Sequence, residues 1–127
     1  MNFLLRCARC LLPHQLSDVA KGLNHLHSRS IVHGDLKGVG DRSLCGLTTW
    51  LTPRQAAILV DASDHARITD FGLAVVTQDL ELIRSGSDEC GDSARWIAPE
   101  TLDCGGTHSK EGDVFSFAMV MIEVRCV

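Results

Sequence analysis

The chain has 127 residues, with 12 Lys and Arg against 16 Asp and Glu and a formal charge of −4. That balance offers no basic excess to a nucleic-acid backbone, and no apolar run reaches the roughly 18 residues needed to span a bilayer. A hydrophobic fraction of 45% excludes general disorder, and aromatics at 5% with no Tyr predict one domain with a mostly aliphatic core.

Met1 to Leu12 is apolar, but Arg6 and Arg9 interrupt it. A secretory signal carries its cations first and then an unbroken apolar stretch, so this order excludes one. Residues 1–15 therefore read as an unassigned apolar leader. Cys7 and Cys10 form one C-x-x-C, with no second pair or nearby His pair to complete a zinc site. With Cys45, Cys90, Cys104 and Cys126 they read as free thiols of a reducing cytoplasm.

Leu16, Val19, Ala20, Leu23 and Leu26 recur at three- and four-residue steps, which predicts an amphipathic helix over Ser17 to His27. Ile31-Val32 is a short β-prone pair. From Val39 to Gln55 neither period holds, and the segment reads as an irregular insert. Ile58-Leu59-Val60 and Arg67-Ile68-Thr69, with Asp61 to His65 as the turn, predict a hairpin. A polar stretch follows from Thr77 to Ala94. Val114 to Val124 is apolar on nearly every face, which predicts a helix buried on all sides.

Four landmarks stand in order: His33-Gly34-Asp35-Leu36-Lys37, Asp70-Phe71-Gly72, Ala98-Pro99-Glu100 and Asp113-Val114-Phe115-Ser116-Phe117. With a helix before the first and an apolar helix at the last, the chain from Leu16 to about Val124 resembles the protein kinase family, specifically its C-terminal lobe. Lys37 is similar to the Ser/Thr-kinase pattern, whereas Ala94-Arg95-Trp96 is similar to tyrosine kinases. That mixture resembles the tyrosine-kinase-like group, most of whose members phosphorylate Ser and Thr. The resemblance implies a mainly helical α+β fold with a short hairpin, a partial C-terminal lobe over residues 16–127, and no N-terminal lobe.

The resemblance also implies roles. Asp35 would accept or orient the proton of a substrate hydroxyl, and Lys37 would offer its ammonium to the transferring phosphate. Asp70 would be the Mg²⁺ ligand, with Phe71 packing to orient it. Lys37 and Asp70 would together face the nucleotide. His33 would pack on Phe71 rather than act as a base, and Asp113 would hold the catalytic loop through backbone hydrogen bonds. Ser85, Ser87 and Ser93 fall in the activation-loop interval, where a solvated loop is expected. Gly34 replaces the Arg that receives an activation-loop phosphate in many kinases. The implied cofactors are ATP and Mg²⁺, and the implied partner is a protein, as substrate or as binding partner.

The family's glycine-rich phosphate loop, strand-borne Lys and helix-borne Glu do not occur before the catalytic loop in these residues. Five residues after Asp35, where the pattern asks for Asn, stands Gly40. These residues alone are therefore expected not to transfer phosphate. Removing Val39 to Gln55, 17 residues, shortens the separation of Asp35 and Asp70 from 35 to 18, the usual family spacing, and puts Ala57 at the Asn position. Seventeen codons are 51 nucleotides, Val codons begin with GT and a Gln codon can end in AG, so the segment can carry intron borders.

Overall fold

A computed structural model describes residues 11–38, 57–71, 74–76, 94–102 and 106–125. All six cysteines, the insert at 39–55 and Ser85, Ser87 and Ser93 lie outside these residues. Three helices are described: α1 (Pro13–Ser28), α2 (Pro99–Leu102) and α3 (Lys110–Arg125). Four short strands accompany them: β1 (Ile31–Val32), β2 (Ile58–Val60), β3 (Ala66–Ile68) and β4 (Val75–Val76). The fold is mainly helical with a short antiparallel hairpin, and the described residues contain no larger sheet.

Helix α1 begins four residues before the expected Ser17. Pro13 supplies a pre-set φ at a position where no amide hydrogen bond is needed. Gln15 then turns back, its Oε1 accepting the Leu12 amide at 2.9 Å. Its Nε2 donates to the Asp64 side chain at 2.9 Å and to the Asp64 carbonyl at 3.2 Å, so this buried amide ties the helix start to the hairpin turn. The buried face contains Gln15, Val19 and Leu23, with Leu16 and Leu26 half-buried. Ala20, expected on that face, is exposed: at about 3.6 residues per turn it lies one full residue step round the helix from Val19, away from the Gln15, Val19 and Leu23 side. Gly22 lets α1 approach β3 closely: a Cβ there would lie 3.2 Å from the Ile68 side chain.

The predicted hairpin forms as β2 and β3, paired Ile58–Ile68, Leu59–Arg67 and Val60–Ala66. Its second strand starts one residue before the expected Arg67. Asp61 shapes the turn: its Oδ1 accepts the amides of Ser63 and His65, and its Oδ2 takes Arg67 Nε at 2.9 Å. These donors, the His65 amide foremost and Arg67 next, hold the Asp61 carboxyl below the usual carboxylate range. Asp18 on α1 is lowered likewise, chiefly by its bond from His65 Nδ1 at 2.9 Å. A second two-stranded sheet joins β1 to β4, with Ile31 opposite Val76 and Val32 opposite Val75. The aliphatic core gathers Leu11, Val19, Leu23, Leu36, Ala57, Ile58, Ala66 and Val120, with Trp96 its buried aromatic residue.

Helix α3 extends beyond the expected Val114 to Val124 at its start. Ser109 caps it, its Oγ accepting the Gly112 amide at 3.0 Å. The expectation that this helix is buried on all sides does not hold. Asp113, Ser116 and Val120 face inward, whereas Val114 and Ile122 are each 54% exposed and Met121 is 37% exposed. The periodicity of burial is helical even though the sequence is apolar all round. One face meets α1 and β1, and the described residues leave Val114, Met121 and Ile122 uncovered.

Candidate active site

The segment after β1 is built around Asp113, at the first turn of α3. Its Oδ2 accepts the His33 amide at 2.8 Å and its Oδ1 the Gly34 amide at 2.9 Å. His27, at the end of α1, donates from Nε2 to Oδ2 at 2.8 Å. Only 2% of the Asp113 side chain is exposed, so burial of this carboxylate depends on these three donors and the helix N-terminus. The anchor implied for Asp113 is therefore present. Gly34 has φ 81°, a left-handed conformation that a side chain would strain. Besides removing an Arg, glycine here lets the loop turn so that two successive amides reach one carboxylate.

Held this way, the loop brings Asp35 and Lys37 together. Lys37 Nζ lies 3.0 Å from Asp35 Oδ2, with the two side chains 15% and 17% exposed. Both are accessible enough to meet a substrate and shielded enough for their charges to count. Asp70 is exposed and sits at φ 62°, an uncommon conformation that Asp tolerates better than most residues.

His33 is wholly buried and links the two acidic segments. Its Nε2 lies 2.8 Å from the Thr69 carbonyl, and its Nδ1 accepts the Asp35 amide at 3.3 Å. A carbonyl only accepts and an amide only donates, so these bonds select the Nε2–H tautomer and engage both ring nitrogens. The ring stands edge-on to Phe71, with centroids 5.3 Å apart and planes at 60°. His33 is a strut, as expected.

Two further bonds close the framework. The Ala57 amide donates to the Lys37 carbonyl at 3.3 Å, and the Thr69 amide donates to the Ala57 carbonyl at 2.7 Å. A chain of contacts thus runs from Lys37 through Ala57 and Thr69 to His33. Ala57 itself is fully buried and contributes only a methyl group. Among the described residues, no cluster of three or more His, Cys, Asp or Glu side chains is placed to hold a metal ion. Of the two metal positions in the motif, Asp70 offers a carboxylate, whereas Ala57, which takes the Asn position once 39–55 is set aside, offers no side-chain oxygen. Glu100 of Ala98-Pro99-Glu100 is exposed.

Three positioning residues were missed by sequence reading. His27 could have been flagged as a basic residue in the last turn of a helix. Gln15 could have been flagged as the third residue of a helix that starts at Pro13, where a Gln can reach back to the N-cap amide. Ser116 stands out as a hydroxyl inside an apolar helix. Its Oγ contacts the carbonyls of Trp96 at 2.6 Å and Gly112 at 3.0 Å, which fastens the segment before Ala98-Pro99-Glu100 onto α3.

A family model described as protein tyrosine and serine/threonine kinase matches residues 54–127. The chain is 33% identical over 128 residues to the membrane-associated tyrosine- and threonine-specific cdc2-inhibitory kinase of Drosophila melanogaster, covering 98% of this chain and 20% of that protein. It is 32% identical over 114 residues to receptor-interacting serine/threonine-protein kinase 3 of Rattus norvegicus, covering 87% of this chain and 20% of that protein. It is 33% identical over 109 residues to ribosomal protein S6 kinase alpha-1 of Homo sapiens, covering 86% and 12% respectively. The chain thus spans a fifth or less of the length of these relatives. Among the described residues no helix is long and apolar enough to cross a membrane. With its landmarks in order and the Asp113 anchor in place, the chain belongs to the protein kinase family.

Proposed function

We propose that this chain carries the phosphoacceptor half of a cytoplasmic protein kinase centre, and that these 127 residues alone do not transfer phosphate. In that centre Asp35 orients a protein Ser or Thr hydroxyl and accepts its proton, while Lys37 sets an ammonium beside the incoming phosphoryl oxygens. The Asp35–Lys37 pair at 3.0 Å, on a loop pinned by Asp113, supports this half of the reading. ATP is the family's phosphoryl donor.

The single observation that carries the inactive reading is Ala57. Its buried methyl lies in the hydrogen-bonded framework between Lys37 and Thr69, where an oxygen ligand would be needed. Asp70 by itself gives a divalent cation little purchase. The test incubates the purified chain with labelled ATP, Mg²⁺ and a generic protein substrate, and measures its melting with and without millimolar nucleotide. No incorporation and no thermal shift are expected. Transfer abolished by Asp35→Asn, or a stabilisation abolished by Asp70→Ala, would refute the inactive reading.

The exposed apolar stripe on α3, Val114, Met121 and Ile122, favours a second reading as a non-catalytic binding module for a protein partner. Saturable binding to a protein partner, lost on Ile122→Lys but kept on Asp35→Asn, would separate it from the first.

A further inference from the structure

We infer that the working form of this chain lacks residues 39–55, and that Gly38 and Ala56 are then the two central residues of a β-turn closing the catalytic loop. The observation is the hydrogen bond from the Ala57 amide to the Lys37 carbonyl at 3.3 Å. In the chain as written these residues are 20 positions apart. Once the 17-residue segment is gone they become positions i+3 and i, and their bond is the one that defines a β-turn.

The flanking residues fit that turn. Glycine at its first central position suits every common turn type, and alanine at the second suits type I. Gly38 and Ala57 are both buried, so the two sides of the interruption already meet inside the lobe. Ala57 is in turn fixed by Thr69, whose amide donates to its carbonyl at 2.7 Å. Among the described residues the closure is continuous, running from Lys37 through Ala57 and Thr69 to His33.

An insertion selected for function need not start and end at codons able to carry splice borders, nor leave a hydrogen bond of turn spacing across its base. This segment does both, and its 51 nucleotides preserve the reading frame when removed. The inference concerns the covalent chain and does not depend on whether the centre turns over.

Two measurements test it. Amplification of mature transcript across the codons of Gly38 to Ala56 should give a product shorter by 51 nucleotides; only the full-length product would overturn the inference. The 110-residue chain joined Gly38 to Ala56 should melt cooperatively, at or above the temperature of the full chain, with its Ala57 amide equally protected from hydrogen exchange. A control that removes only residues 39–53 keeps two extra residues in the turn and should lose that protection. A joined chain that melts below the full chain, or whose Ala57 amide exchanges as fast as in the control, would overturn the turn assignment.

Discussion

Replacing Asp113 by Ala tests the framework at the point where most of it converges. The substitution strips acceptors from the His33 amide, the Gly34 amide and His27 Nε2, which now bond at 2.8, 2.9 and 2.8 Å. The His33 amide is buried and has no route to water, so leaving it unmet costs about 1–3 kcal/mol. The Gly34 amide and His27 are half-buried and recover part of their loss by hydration. Some cost is offset because a buried carboxylate no longer has to be desolvated. The expected net loss is roughly 3–5 kcal/mol, a large share of the total stability of a domain this size. Asp113→Asn keeps one acceptor oxygen, so one of the two backbone amides stays unsatisfied and the loss falls to about 1–3 kcal/mol. His27→Gln removes one partner only and should cost about 1 kcal/mol. Urea denaturation of the full chain gives these differences from shifts in midpoint at constant slope. Hydrogen exchange at His33 and Gly34 localises them. If Asp113→Ala lies within about 0.5 kcal/mol of the parent, or if the two amides stay protected in it, the loop is held by something else.

Gln15→Ala should destabilise the chain by about 1–3 kcal/mol, read by the same denaturation, because it leaves the Leu12 amide and the Asp64 turn without a buried partner. Asp18 and Asp61 are both held ionised below their ordinary value near 4, so the stability they add is present above that pH and lost as the pH falls through their folded values. Melting temperature should therefore drop below about pH 4, and the drop should shrink in the Asp18→Asn, Asp61→Asn double variant; an unchanged acid profile would remove both from the account. Ile122→Lys and Val114→Lys should each raise the concentration at which the chain stays monomeric in sedimentation, with melting altered by no more than about 0.5 kcal/mol, since both side chains already face solvent.

The legible parts of the molecule were those in which one chemical property repeats or one motif is local. The hairpin appeared in advance because Ile58-Leu59-Val60 and the Arg67-Ile68 run flank Asp61, whose carboxylate organises its own turn. The His33–Phe71 contact and the Asp113 anchor followed from the family resemblance, not from periodicity. Helix α1 was misplaced at its start because Gln15 is polar and breaks the apolar stripe, although its amide is the buried group that starts the helix. The exposed side of α3 was illegible for the opposite reason. A helix apolar on every face carries no signal of which side meets α1, and the inward side is marked only by Asp113 and Ser116, polar residues bonded to distant backbone. The β1–β4 pairing joins strands of two residues each, too short to carry a pattern of their own.

The distance in sequence between Asp113 and the loop it holds has a consequence for how the protein is made. His33 leaves the ribosome 80 residues before its acceptor. At about 5–20 residues per second that is roughly 4–16 s during which the loop amides have only water to bond. The catalytic segment therefore takes its shape late, when the N-terminal turn of α3 emerges, although it is encoded in the first third of the chain. Shortening the intervening chain by 17 residues would lower the entropic cost of that closure by only about 0.2 kcal/mol. A nascent chain stalled before Asp113 would display Asp35 and Lys37 without the geometry that relates them.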